Sequence, residues 1–192
     1  MNFSFIFVGS THGFIDDFLK QKEIIESVEP EIVLCEGLED LKLDSEKKFN
    51  ELLKKRNISN MTSFGEVERL VRLCFNKKIK LIGIDFHNFG FDDNLQRKIK
   101  NQEELTKEEE EKLNKIVKAR EKYHLSKILE YQKKTSHPII IVLGCWHLRE
   151  ESLLRKEVKN YKVIIPCDKY GNPLLAPNKE KQIEYIEIIS NG

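Results

Sequence analysis

The chain has 192 residues, 40% of them apolar and 34% charged, with a formal net charge of +1. That length suits a single domain spanning 1–192, and the apolar share is enough to pack a sizeable core. The near balance of Lys+Arg against Asp+Glu weighs against a general nucleic-acid binder, which carries a strongly basic surplus.

The opening Met1-Asn2-Phe3-Ser4-Phe5-Ile6-Phe7-Val8 has no basic leader and no small-residue cleavage site, and its apolar run is too short for a signal peptide or a membrane span. Phe3–Val8 instead reads as a buried strand ended by Gly9-Ser10-Thr11. Ile15, Phe18, Leu19, Ile24, Ile25 and Val28 then follow helical spacing. Pro30 stops that helix and opens a second strand, Ile32–Cys35, which runs into Glu36-Gly37. Such a β-α-β unit predicts parallel strands and a right-handed crossover.

Asp44–Arg56 and Phe64–Lys78 read as helices separated by the polar break Asn57–Ser63. Lys80–Ile84 is a third strand, ending in Asp85-Phe86-His87-Asn88, and Asn88–Asn94 reads as a loop. Thr106-x-x-Glu109 is a capping-box signal for a long helix to about Lys134. The acidic run Glu108–Glu111 sits in its first turns, where the macrodipole favours negative charge. Pro138 opens the fourth strand, Ile139–Leu143, which stops at Gly144-Cys145-Trp146-His147. A short helix over Leu148–Val158, a fifth strand over Lys162–Ile165, a Gly171-Asn172-Pro173 and Pro177 loop and a last strand over Ile183–Ile189 complete the reading. The fold class is therefore α/β, a mostly parallel central sheet with helices on both faces. The last hairpin-like pair is the place for an antiparallel edge strand at the C-terminus.

Cys35, Cys74, Cys145 and Cys167 are unevenly spaced and form no Cys-x-x-Cys pair. They read as buried thiols in a reducing cytoplasm rather than as a disulfide or zinc framework. No segment is long and apolar enough to cross a bilayer, so no membrane partner is expected.

Four strands end in turn at Gly9-Ser10-Thr11-His12, Glu36-Gly37, Asp85-x-His87 and Gly144-Cys145-Trp146-His147. In open α/β sheets, ligands bind in the crevice beyond the carboxyl ends of the strands. The repeated Gly-x-x-His adds weight, glycine there being read as the residue that lets the chain turn sharply off the strand. Imidazoles and carboxylates together can bind a divalent metal (Zn, Mn, Co or Fe) or position a water as nucleophile. His12, Glu36, Asp85 and His147 are the candidate metal ligands. Asp85 has a competing reading as the cap of a following helix, and His87 is assigned to the loop. His124 and His137 have no comparable placement. In the long helix an apolar stripe runs through Ile116, Val117, Tyr123, Ile128 and Tyr131, with Arg120 on or beside it. Spacing alone favours a snorkelling surface arginine there over an inward one.

Taken in order, five segments resemble the superfamily joining TraB/PrgY-like proteins, the TIKI proteases, GumN-like proteins, ChaN-like haem-binding proteins and erythromycin esterases. They are Phe7-Val8-Gly9-Ser10-Thr11-His12, Pro30-Glu31-Ile32-Val33-Leu34-Cys35-Glu36, Ile82-Gly83-Ile84-Asp85, Ala119-Arg120-Glu121-Lys122-Tyr123 and Ile141-Val142-Leu143-Gly144-Cys145-Trp146-His147. The resemblance implies that His12, Glu36, Arg120 and His147 belong to the site, with Asp85 and Glu121 close behind. Gly13 stands where the TraB branch tends to have a small residue followed by Ser, and the branch-specific membrane segments and insertions are lacking. Branch-specific substrates therefore do not carry over.

The leading expectation is a hydrolase, similar to the TIKI and esterase branches, acting on a peptide or an ester-like bond of a small molecule. His12, Glu36 and His147 would hold a metal or its water, a carboxylate such as Glu121 would act as base, and Arg120 would stabilise the oxyanion. A metal-free variant would activate water with a His–Glu pair. The alternative is a haem-, metal- or small-ligand-binding protein without turnover, with Trp146 and Cys145 lining the pocket. A third reading is an interaction protein that keeps the fold without chemistry.

Overall fold

Successive residues of a strand face opposite sides of a sheet, and here both sides are apolar. This is the pattern of a sheet covered by helices on both faces. The computed structural model describes residues 3–11, 15–54, 64–86, 91–101, 103–175 and 184–190. In chain order they form β1 (Phe5–Ser10), α1 (Ile15–Val28), β2 (Ile32–Cys35), β3 (Lys42–Leu43), α2 (Glu46–Lys54), α3 (Phe64–Lys77) and β4 (Lys80–Gly83). There follow α4 (Asp93–Asn101), α5 (Lys107–Gln132), β5 (Ile139–Gly144), α6 (Leu153–Glu157), β6 (Tyr161–Cys167) and β7 (Glu184–Ser190). Short 3-10 turns follow β2, at Glu36–Leu38, and β5, at Cys145–Leu148.

The seven strands make one sheet in the order β3-β4-β2-β5-β1-β6-β7. The five central strands are parallel, while β3 runs antiparallel to β4 and β7 antiparallel to β6. The α/β class and the antiparallel C-terminal edge are as the sequence predicts. Strand β5 lies between β1 and β2, pairing Phe7 with Ile141 on one side and Leu34 with Ile141 on the other. The crossover through α1 therefore skips one strand position, and the strand order switches direction there. Ile6, Val8, Val33, Cys35, Ile140 and Val142 pack with Ile25 of α1 and Leu70, Val71 and Cys74 of α3. Phe5, Phe7, Leu34, Ile82, Ile141 and Leu143 pack with Ile128 and Tyr131 of α5 and Leu154 of α6. Each fully buried aliphatic of this kind contributes about 1.5–3 kcal/mol, so both faces hold the strand ends in register.

The start of α5 is the predicted capping box. The Thr106 hydroxyl accepts from the Glu109 amide at 3.3 Å, and the Glu109 carboxylate accepts from the Thr106 amide at 2.8 Å. The inward stripe differs from the predicted one. It runs Val117, Glu121, His124, Ile128, Tyr131, so two of its five members are polar.

Three further differences have local causes. The predicted Asn88–Asn94 loop gives way at Asp93 to α4, whose Leu95 amide donates to the Asp92 carboxylate at 2.8 Å; with only Leu95 and Ile99 apolar, its periodicity is faint. The predicted Leu148–Val158 helix is instead a 3-10 turn and the shorter α6, because Ser152 caps a fresh start by accepting from the Arg155 amide at 3.2 Å. The two-residue β3 is too short for any sequence pattern to show. The predicted Asn57–Ser63 break and Pro177 lie outside the described residues. Among the described residues no helix is long and apolar enough to cross a membrane.

Candidate functional site

The four strands that carry the predicted polar ends are neighbours in the sheet, β4-β2-β5-β1. Glu36 opens the turn after β2, Asp85 follows β4, and His147 lies in the turn after β5. His12 and His87 lie outside the described residues. The end of β1 that leads toward His12 is held by Asp17 of α1. This buried carboxylate accepts from the Thr11 amide at 2.7 Å, the Thr11 hydroxyl at 2.9 Å and the Tyr185 hydroxyl of β7 at 2.9 Å.

Helix α5 lies across the strand ends and supplies the counter-charge. Arg120 Nε donates to Asp85 Oδ2 at 3.1 Å, and its Nη2 donates to both Glu36 Oε1 and Asp85 Oδ2. The arginine side chain is 12% exposed and that of Asp85 0%, so the surface reading that spacing favours for Arg120 is overturned. A buried cation facing two carboxylates is the arrangement that offsets its desolvation. Burial would lower the guanidinium pKa, but the charges of Glu36 and Asp85 raise it. Burial likewise pushes the Asp85 carboxyl up, yet the contacts of His124 and Arg120 outweigh it and hold the group below its usual range. Glu36 is fixed at its other oxygen by the Gly144 amide, 2.7 Å away.

That bond revises the role of the glycine. Gly144 has φ −58° and ψ 137°, which any residue adopts, so it does not provide a sharp left-handed turn. Gly9 sits inside β1, where an added Cβ would lie 3.0 Å from Cys145 Sγ. Close packing of the turn after β5 against β1, rather than backbone freedom, explains that glycine.

His147 is buried, with Nδ1 3.4 Å from Glu121 Oε1 and Nε2 3.7 Å from Glu36 Oε1. Burial lowers its pKa against the upward pull of Glu36 and Glu121, with His124 and Arg120 adding to the lowering. The imidazole is therefore neutral at neutral pH. Glu121 is committed on both oxygens, since Oε1 accepts from Arg149 Nη1 and Oε2 accepts from the Leu153 amide at 2.9 Å. Arg149 also donates to the Trp146 carbonyl at 2.7 Å and lies over the Trp146 ring. Glu121 thus clamps the whole 145–153 segment, with His147 in the middle of it.

Those contacts take the Glu121 carboxyl to a pKa of about 2, against a burial effect that would raise it. A depressed acid contributes stability that is fully present above its unfolded value, 4.5, and is lost as pH falls toward 2. Glu121→Gln is therefore expected to flatten the fall in melting temperature between pH 5 and pH 3. An equally steep fall in that variant would show that the clamp adds no acid-sensitive stability.

The missed member is His124. It lies three residues after Glu121 and four after Arg120 on one helix face, a spacing that was readable. It is fully buried, its Nε2 is 3.5 Å from Asp85 Oδ1, and its ring meets that of His147 edge-on at 4.9 Å between centroids. Arg149 carried no sequence signal. His137, which had no comparable placement in the sequence, is exposed.

The donors were predicted to hold a divalent metal. Among the described residues no three His, Cys, Asp or Glu side chains converge as a metal-binding group. Glu36 and Asp85 are bridged instead by the Arg120 guanidinium, so a metal on that carboxylate pair would have to displace a paired cation. His12, the fourth predicted ligand, lies outside the described residues.

The chain matches no protein-family model, no curated protein and no solved structure. The likeness to the TraB, TIKI and esterase superfamily therefore rests on its five motif segments alone.

Proposed function

We propose that the chain is a hydrolase of ester-like or peptide bonds in which His147 is the general base and no resident metal takes part. The observation that carries this reading is the placement of His147 between Glu121 at Nδ1 and Glu36 at Nε2. A neutral imidazole with a carboxylate 3.4 Å from Nδ1, a contact short of a full hydrogen bond, keeps Nε2 for a water proton. As the water oxygen bonds to the substrate carbonyl carbon, Nε2 takes its proton and the carbonyl oxygen gains negative charge. Arg120 supplies the nearby positive charge. The imidazolium, stabilised by Glu121, then returns the proton to the leaving oxygen or nitrogen as that bond breaks. His12 joins this proposal from the resemblance, as a further group at the strand ends.

All four cysteines are buried and none forms a disulfide among the described residues, which suits the reducing cytoplasm we assign to the chain. A haem iron would need an imidazole open to a cavity. His124 and His147 are instead buried against carboxylates, which gives the haem reading less support than the hydrolytic one.

The test is turnover of p-nitrophenyl acetate and of an unstructured peptide, with and without EDTA, by the native protein and His147→Gln. We expect EDTA-resistant cleavage that falls about 100- to 10,000-fold in the variant. Cleavage abolished by EDTA, with bound metal found by elemental analysis, would restore the metal-assisted mechanism. No cleavage of either probe would favour a small-ligand site without turnover.

A further inference from the structure

We infer that His124 is a positioning residue for His147, setting the ring orientation that the base needs. The inference rests on the reading of His147 as the base. His124 is fully buried; its Nε2 has only the 3.5 Å ion-pair contact with Asp85 Oδ1, and its Nδ1 makes no hydrogen bond among the described residues. An unsatisfied buried polar group costs about 1–3 kcal/mol, whereas Met or Leu at a helix position facing a core would cost nothing of the kind. A purely structural residue is therefore a poor account of an imidazole here.

The geometry shows what the ring does. Its edge-on contact with His147 is the preferred arrangement of two aromatic rings, worth about 0.5–1.5 kcal/mol. His147 thus lies against Glu121 on its Nδ1 side and against His124 at the ring, with Nε2 left 3.7 Å from Glu36 Oε1. His124 is held in turn by Asp85, whose Oδ1 lies 3.5 Å from its Nε2 while Oδ2 binds Arg120. The contacts form a closed circuit: His147, Glu36, Arg120, Asp85, His124 and back to His147. Helix α5 contributes Arg120, Glu121 and His124 to it from a little over one turn, so one rigid element sets the guanidinium, the orienting carboxylate and the ring contact together. A base displaced by about 1 Å can lose about 100-fold in rate, which is the scale on which such a contact matters.

The test uses two substitutions in the full chain. His124→Leu removes the aromatic edge and the nitrogens but keeps an apolar side chain; His124→Phe restores an aromatic ring without nitrogens. His147 ring signals are read by proton–nitrogen NMR, after thermal melting has verified that each variant folds. We expect His124→Leu to shift and broaden the His147 signals and His124→Phe to bring them back toward the native positions. On p-nitrophenyl acetate, His124→Leu should lower kcat about 100-fold with KM changed by less than about 3-fold, and His124→Phe should recover most of that loss. Unchanged His147 signals in a folded His124→Leu would overturn the inference, as would a variant that rises in KM alone. The NMR arm needs no turnover. If the signals respond while neither native nor variant protein cleaves anything, it is the hydrolase reading that fails and the positioning role that stands.

Discussion

Arg120→Met is expected to destabilise the protein by about 3–5 kcal/mol at pH 7, because it strands two buried carboxylates without their shared cation. Glu36 and Asp85 are 8% and 0% exposed, and both take the same guanidinium. The pH dependence follows from the sign of the shift. In the native protein Asp85 is held below 3.8, so its contribution is present at neutral pH and fades as pH falls through that lowered value. Without the arginine the burial effect, already the largest influence on that carboxyl, is opposed only by His124 and by the Phe86 amide, which donates to Asp85 Oδ1 at 3.0 Å. Its pKa moves up, and the folded state then loses stability as pH rises through the new value. The deficit of Arg120→Met relative to native protein should therefore be greatest near pH 7 and shrink toward pH 5. Urea unfolding at the two pH values measures it. The triple variant Arg120→Met/Glu36→Gln/Asp85→Asn removes the charges together and is expected to recover at least about half of the loss, since a buried pair is costly chiefly when one partner goes. A deficit under about 1 kcal/mol, or one that does not change with pH, would mean that water reaches these carboxylates and the cation is not needed.

What the sequence made legible, and what it hid, divides along the range of the forces involved. Strand positions and the α/β class followed from short apolar runs bounded by Gly, Pro and acids, a local pattern that survives folding. Glu36, Asp85 and His147 were found because each ends such a run, and the ends of parallel strands share one edge. Their grouping depended on strand order. No local pattern shows that β5 inserts between β1 and β2, although that insertion puts Gly144 beside Glu36. The helix was harder. A stripe traced through apolar residues alone ran through Ile116 and Tyr123, whereas the inward face includes Glu121 and His124. Polar residues are buried where partners come from distant segments, here Asp85, Arg149 and the Leu153 amide. Spacing within α5 puts Arg120, Glu121 and His124 near one face but does not show those partners, and only the resemblance pointed to Arg120.

Gly83→Ala is the second large effect, and it acts through the backbone above the site. Gly83 ends β4, and its amide donates to the Leu41 carbonyl at 2.6 Å. The chain leaving the 3-10 turn of Glu36 passes directly over it. A Cβ at Gly83 would lie 2.1 Å from the Glu39 carbonyl oxygen and 2.7 Å from that of Leu38. These are backbone atoms, and they have little room to yield. Glu39 already stands at φ 51° and ψ −125°, outside the ordinary regions for a side-chain-bearing residue. Its carbonyl also accepts from the Asp85 amide at 3.0 Å. An alanine must push the 38–41 segment off the strand, breaking the bond that fixes Asp85 relative to the Glu36 turn. The expected cost is about 3 kcal/mol, at the upper end for overpacking, and a fall in melting temperature of about 6–12 °C. Gly171→Ala is the internal control. That glycine has φ 83° with open space around it, so its alanine meets conformational strain and no clash, at about 1 kcal/mol. Thermal melts of the two variants side by side decide the matter. If Gly83→Ala melts no lower than Gly171→Ala, the strap over β4 is loose, and Asp85 owes its position to Arg120 and His124 rather than to the backbone.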